Sequence, residues 1–274
     1  MIRALVLTGF GINCEEELAA AWRLAGAEPH LVHLNRLLAG QERIRDHHVV
    51  SLPGGFSFGD DLGAGRVLAN RIRYRTLPSG GTLLDELSRF VQEGGYVLGI
   101  CNGFQVLVQT GLLPNVGGGL EPEATLAPNA SGRFEDRWIR CVATTPSPTP
   151  FLAGVSTLDL PVRHGEGRLV FRDDEVQTRV VERGLACLRY ADSEGLETHV
   201  YPANPNGSAL ACAGMVDVSG HVFGLMPHPE AYLSAWNHPD WGRRIRLSGH
   251  AMEDGEGLAL FRNLVRHLTG EVKP

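Results

Sequence analysis

The chain has 274 residues, a formal net charge of −6 and a pI near 6.0. That mild acidity, with no long basic run, argues against nucleic acid or an anionic membrane surface as a partner. With 43% hydrophobic and 7% aromatic residues it reads as a globular chain able to bury a full core, and no apolar stretch reaches the ~20 residues a membrane-spanning helix needs.

Residues 3–8 (RALVLT) predict a buried first strand. No charged, cleavable leader precedes it, so a cytoplasmic location is expected. Residues 15–25 predict a helix with acidic residues in its first turn, ended by Gly26. Residues 30–34 and 47–52 predict the next strands, the latter running into Pro53-Gly54-Gly55. This succession fits an α/β fold: a doubly wound, mostly parallel sheet flanked by helices, with ligands collecting at the carboxyl ends of strands. Residues 56–65 are glycine-rich but carry neither a phosphate loop nor a dinucleotide fingerprint.

Helical patterns follow at 66–74 and 83–93, a strand at 96–100 and a helix at 102–110 stopped by Gly111 and Pro114. Residues 115–133 read as irregular, 138–143 as strand and 144–150 as a turn or loop. Short strands then dominate to Met226, clearest at 185–190, 209–216 and 221–225, with one helix at 174–183. Residues 255–268 predict an amphipathic helix packed on the sheet. No repeat or polar linker divides the chain, so a single domain over 1–274 is expected.

Five cysteines, Cys14, Cys101, Cys141, Cys187 and Cys212, are scattered without a C-x-x-C pair. That spacing argues against a disulfide framework and against a zinc site, and no metal is expected. Cys101 stands apart in Gly99-Ile-Cys101-Asn-Gly103, between a strand and a helix. A sharp strand-to-helix turn needs small neighbours, and this is the nucleophile-elbow pattern with sulfur in place of oxygen. The following helix's positive end would favour thiolate. Free cysteines are most often buried small hydrophobes, but the paired glycines count against that for Cys101. Cys14 lacks them and reads as structural.

A cysteine nucleophile needs a base. His228 stands out among eleven histidines, because Pro227-His-Pro-Glu230 follows an apolar strand. Two prolines predict extended backbone, which points Glu230 to the same side as His228, where it would orient the imidazole. The N–H groups of Asn102 and Gly55 are candidates for an oxyanion hole. Arg163-His-Gly-Glu-Gly-Arg168 predicts a loop, either facing a ligand or simply solvated.

These stretches together resemble the class I (triad) glutamine amidotransferases, and within them the family of glutaminase subunits of phosphoribosylformylglycinamidine synthase. The resemblance is carried by PGGFSFGDDLGAG at 53–65, GICNGFQVLVQTGLLP at 99–114, RFEDRW at 133–138, HGEGR at 164–168, PANPNGS at 202–208 and LMPHPE at 225–230, with GINCEEE at 11–17 a weaker match. It implies Cys101 as nucleophile, His228 and Glu230 completing the triad, and Gly55 and Asn102 as the oxyanion hole. It further implies that Gln105 touches the glutamine substrate, and that Gly165 and Glu166 hold its amino-acid end through backbone groups. Two departures stand out: Ala231 where the family usually has Arg, and a segment at 232–256 longer than expected.

The activity so implied is hydrolysis of L-glutamine through a γ-glutamyl thioester, with ammonia passed to a partner synthetase that converts formylglycinamide ribonucleotide to formylglycinamidine ribonucleotide in purine biosynthesis. The resemblance places ATP and Mg on that synthetase, implies no cofactor in this chain, and allows a small bridging subunit. Rival readings are the glutaminase of another ammonia-channelling synthetase, a cysteine peptidase and an inactive scaffold. The peptidase reading lacks the papain-like signature, and an intact Cys, His and Glu argues against a scaffold.

Overall fold

The computed structural model describes residues 1–248 and 254–271. β1 (Arg3–Thr8) is apolar along most of its length and buried on both faces, as an interior parallel strand must be. In α1 (Glu15–Leu24), Glu15, Glu16 and Glu17 sit at the positive end of the helix dipole while Leu18 and Trp22 face the core. β2 (Glu28–His33) begins and ends earlier than the sequence predicts. Leu34 is drawn into a short helix, α2 (Leu34–Leu38), which His33 caps by accepting the amide of Asn35. β3 (Val49–Leu52) is followed by α3 (Arg66–Tyr74) and α4 (Leu83–Gln92), the latter opened by a Thr82–Asp85 capping box. Then come β4 (Tyr96–Ile100) and α5 (Asn102–Gln109).

The stretch expected to be irregular contains β5 (Ala124–Pro128). β6 (Glu135–Ala143) starts earlier than predicted, and β7 (Thr157–His164) and β8 (Glu166–Phe171) leave only Gly165 between them where a longer loop was expected. β5 and β8 pair antiparallel in a small sheet of their own. Neither strand has a long hydrophobic pattern, and each is a strand because the other satisfies its backbone. After α6 (Asp174–Glu182) come β9 (Leu188–Ala191), β10 (Cys212–Val216) and β11 (Val222–Leu225). Residues 209–211, predicted as strand, form a one-turn 3-10 helix with Leu210 left-handed. α7 (Trp241–Ser248) and α8 (Leu258–Thr269) close the chain, and Phe261 of α8 meets Trp22 of α1 edge to face at 5.0 Å.

Among the described residues the main sheet has nine strands in the order β2-β1-β3-β4-β11-β10-β9-β6-β7. From β2 to β11 neighbours run parallel; from β11 to β7 they run antiparallel. The α/β expectation holds, with a mixed sheet whose parallel half matters for function. β1, β3, β4 and β11 are consecutive in it, so residues following all four emerge at one edge. The winding reverses where β1 lies between β2 and β3, the position at which such sheets leave a crevice.

The long segment at 232–256, of which 249–253 lie outside the described residues, folds onto β6 and β7. Trp138 packs against the rings of Tyr232 and His238 at 5.0 and 4.4 Å. Arg244 binds Asp159, and binds Glu256 at 2.5 Å.

Candidate active site

Cys101 is the first residue past β4 and the cap of α5. Its φ of 52° and ψ of −105° put a residue with a side chain in left-handed territory, at a cost of about 1–3 kcal/mol that the surroundings must offset. Those surroundings explain the two glycines. A Cβ on Gly103 would lie on the carbonyl oxygen of Leu52 in β3, and a Cβ on Gly99 would come 2.7 Å from the backbone of Gly103. Strand and helix therefore pack backbone against backbone, and the turn between them has no slack. The amide of Cys101 donates to Leu225 O at 2.8 Å, tying the elbow to β11. Its thiol, 5% exposed, donates to the carbonyl of Arg163 at 3.6 Å.

β11 leads into His228, whose amide donates to Pro161 O of β7 at 2.9 Å. Nδ1 lies 2.6 Å from Oε1 of Glu230, and each residue is 2% exposed. Glu230 reaches the ring by a different path from the one predicted: Pro229–Ala231 forms a single 3-10 turn that folds the carboxylate back. Burial works against a charged imidazole, but the Glu230 carboxylate and then Cys101 outweigh it and hold His228 well above its ordinary value. Nε2 has no hydrogen bond among the described residues, and the Cys101 S–H is turned to the carbonyl of Arg163. Such bonds commonly tighten only when substrate arrives.

Cys14, expected to be structural, emerges beside the same imidazole. Its Sγ, a ring nitrogen of His228 and a carboxylate oxygen of Glu230 all lie within 4.8 Å of one another. A Cβ on Gly54 would stand 2.7 Å from Cε1 of His228 and 3.2 Å from Sγ of Cys14, so that glycine is needed to let the two approach. Burial pushes the Cys14 thiol up, and its φ of −104° lies outside the left-handed region that Cys101 occupies. Burial likewise pushes up Cys141, Cys187 and Cys212, the last to about 12, as in inert core thiols. The sequence held one clue to Cys14: it follows β1 at the carboxyl edge, where ligands collect.

Gly55 has φ 141° and bridges to Ile12, with Phe56 N donating to Gly11 O at 2.8 Å. A Cβ there would come 2.7 Å from Gly11 O, so only glycine fits. Asn102 opens α5, where helix amides lack intrahelical partners. Its side chain accepts from Ser57 N at 3.3 Å and donates to Gln105 Oε1 at 2.9 Å. Gln105 in turn donates to the Glu166 carbonyl at 2.6 Å, Glu166 Oε2 accepts from Ala64 N at 3.2 Å, and Gly165 O accepts from Asn129 N at 2.9 Å. Gln105, Gly165 and Glu166 are thus brought together in one bonded unit linking α5, the β7–β8 turn and the loop after β3.

The protein-family model for the CobB/CobQ-like glutamine amidotransferase domain matches residues 1–268. The chain belongs to this family. Among its amidotransferase relatives, the phosphoribosylformylglycinamidine synthase subunit PurQ of Dehalococcoides mccartyi is 40% identical over 267 residues, 97% of each chain. The subunit of the same name from Methanococcus maripaludis strain S2 is 40% identical over 276 residues, again 97% of each. Of solved structures, a chain of PurLQS from Thermotoga maritima superposes with a TM-score of 0.70 at 28% identity, covering 97% of this chain and 99% of that one. A glutamine amidotransferase from Thermotoga maritima, at 15% identity and TM-score 0.54 over 97% of each chain, shares the fold.

Proposed function

We propose that the chain is the glutaminase subunit of a phosphoribosylformylglycinamidine synthase, built as one glutamine amidotransferase domain over residues 1–274. The observation that carries this reading is a strained Cys101 at the end of β4, beside β11 from which a buried imidazole follows that Glu230 orients at 2.6 Å. The name borne by relatives 40% identical over almost their full length supports the same assignment.

The Cys101 thiolate attacks the side-chain amide carbon of glutamine, forming a C–S bond. The oxyanion is held by the amides of Gly55 and Asn102. His228 gives its Nε2 proton to the amide nitrogen, the C–N bond breaks and ammonia leaves a γ-glutamyl thioester. Water then loses a proton to His228 and attacks the thioester; the C–S bond breaks, releasing glutamate and restoring the thiolate–imidazolium pair. Gln105, Gly165 and Glu166 hold the amino-acid end of the substrate. Cys101 rather than Cys14 is the nucleophile, because it alone of the two has a positive φ at a tight strand-to-helix turn.

Neutral ammonia is scarce in water at pH 7, so it passes directly to a synthetase subunit that binds ATP, Mg and formylglycinamide ribonucleotide, with or without a small bridging subunit. The PurLQS assembly that contains a similar chain supports such a partnership. This chain's thiol, imidazole and carboxylate need no cofactor of their own. Among the described residues no helix is long and apolar enough to cross a membrane. The assembly's assignment to the cytoplasm rests on the likeness to the PurQ relatives.

The test is Cys101→Ala in the reconstituted assembly. Glutamine-dependent synthesis should vanish while ammonia-dependent synthesis continues. Continued use of glutamine would remove Cys101 from the nucleophile's role.

A further inference from the structure

Cys14 has no part in the chemistry above, yet it is buried, 7% exposed, beside the imidazole and carboxylate on which that chemistry depends. A thiol sulfur, an imidazole nitrogen and a carboxylate oxygen within 4.8 Å of one another form a mixed soft and borderline donor set. Cys14 is distant in sequence from the His228–Glu230 pair and meets it because β1 and β11 lie on either side of β3 and β4 in the parallel half-sheet. One further feature points to a ligand. Oε2 of Glu230, in a residue 2% exposed, has no hydrogen-bond donor among the described residues. A sealed carboxylate oxygen with nothing to accept from is costly, and a cation is one of the few partners that would satisfy it.

We propose that Cys14, His228 and Glu230 form a binding site for a thiophilic divalent cation, zinc foremost, and that its occupancy switches the catalytic imidazole off. Ligand atoms around one zinc, at bond lengths of ~2.0–2.3 Å, stand roughly 3.2–3.8 Å apart. The Nδ1–Oε1 pair must open from 2.6 Å, and the three donors, already within 4.8 Å of one another, must settle around one centre, a change within the reach of small rotamer shifts. The Cys14 thiol donates to Asn13 Oδ1 at 3.4 Å, so a further oxygen adjoins the sulfur.

Binding releases two protons to solvent, the Cys14 S–H proton and the one shared between His228 and Glu230; no electron moves and no bond to carbon changes. With a metal ion on Nδ1, Glu230 no longer orients the ring through a proton, and Nε2 becomes a poor base. The proposal takes Nδ1 as the ligand because that nitrogen already lies beside Glu230; a cation bridging Cys101 and Nε2 would occupy the other ring nitrogen. The inhibitory half of this inference rests on the proposed glutaminase activity; the binding half does not.

The experiment titrates Zn2+ against a chromophoric chelator in the full chain, as wild type, Cys101→Ser and Cys14→Ala, with Cys14→Ser as a second variant should alanine impair folding. One equivalent should bind to wild type and to Cys101→Ser, and at least tenfold more weakly to Cys14→Ala. Co2+ in the Cys101→Ser protein should give a thiolate-to-cobalt charge-transfer band that is missing once Cys14 is also replaced. In the assembled complex, zinc should suppress glutamate release from wild type, and EDTA should restore it. Zinc binding that survives loss of Cys14, binding that disappears with Cys101, or no stoichiometric binding at all would each overturn the site. If zinc binds as expected but the wild-type complex releases no glutamate from glutamine, the glutaminase reading fails and the site stands.

Discussion

Nδ1 of His228 lies 2.6 Å from Oε1 of Glu230, and both side chains are shut away from solvent. The carboxylate is the main force raising the imidazole against its own burial. Glu230→Gln keeps the shape and removes the charge. We expect glutaminase kcat/KM to fall on the order of 10²–10⁴-fold, and the limb of its pH profile that reports His228 to move to lower pH. Steady-state glutamate release measured across pH checks both.

Gly103 allows α5 to rest on the carbonyl of Leu52. A methyl group there has no room, and backbone cannot yield as a flexible side chain would. Gly103→Ala should cost about 1–3 kcal/mol or more and shift Cys101 with the helix. Urea unfolding gives the first quantity, and labelling of Cys101 by a glutamine-analogue electrophile reads the second.

His164 is buried beside the site, with Nδ1–H donating to Asn129 Oδ1 at 3.0 Å. Burial, and then the charge of His228, push it down to about 4. Because the folded pKa lies below the unfolded one, the unfolded chain takes up a proton first as pH falls, and stability drops between pH 6.5 and 4. The loss from this group is about 2 kcal/mol between pH 7.5 and 5. His164→Asn should shrink that part of the acid sensitivity, seen as a smaller gap between urea midpoints at the two pH values.

Arg244 ties the 232–256 segment to β7 through Asp159 and Glu256, and also donates to Tyr232 Oη at 3.3 Å. Asp159 N donates to Glu256 Oε2 at 2.7 Å, so the two carboxylates are close. Removing the guanidinium leaves like charges facing each other in a partly buried place. Arg244→Ala should destabilise by about 1–3 kcal/mol, and a double-mutant cycle with Asp159→Asn should recover part of it. Thermal unfolding of the four proteins measures the coupling.

Much of the parallel half of the sheet was legible in the chain. β1, α3 and β4 fall at the predicted residues, because long apolar runs and helical periodicities are local signals. β5 and β8 were missed or blurred because short strands owe their existence to a partner, and the register of a partner is not written in five residues. The extended PHPE stretch proved to be a tight turn; two prolines restrict backbone without choosing between those outcomes.

The elbow around Cys101 could be read from spacing alone, since glycines two residues to either side of a cysteine answer a steric demand that any such turn makes. His228 and Glu230 were readable as a pair for a similar reason: they are two residues apart. The company kept by Cys14 was not, because 214 residues separate it from His228 in the sequence. Only the order of β1, β3, β4 and β11 in the sheet brings thiol, imidazole and carboxylate together. Adjacency of that kind is settled by strand pairing and core packing over the whole molecule, and no local pattern encodes it.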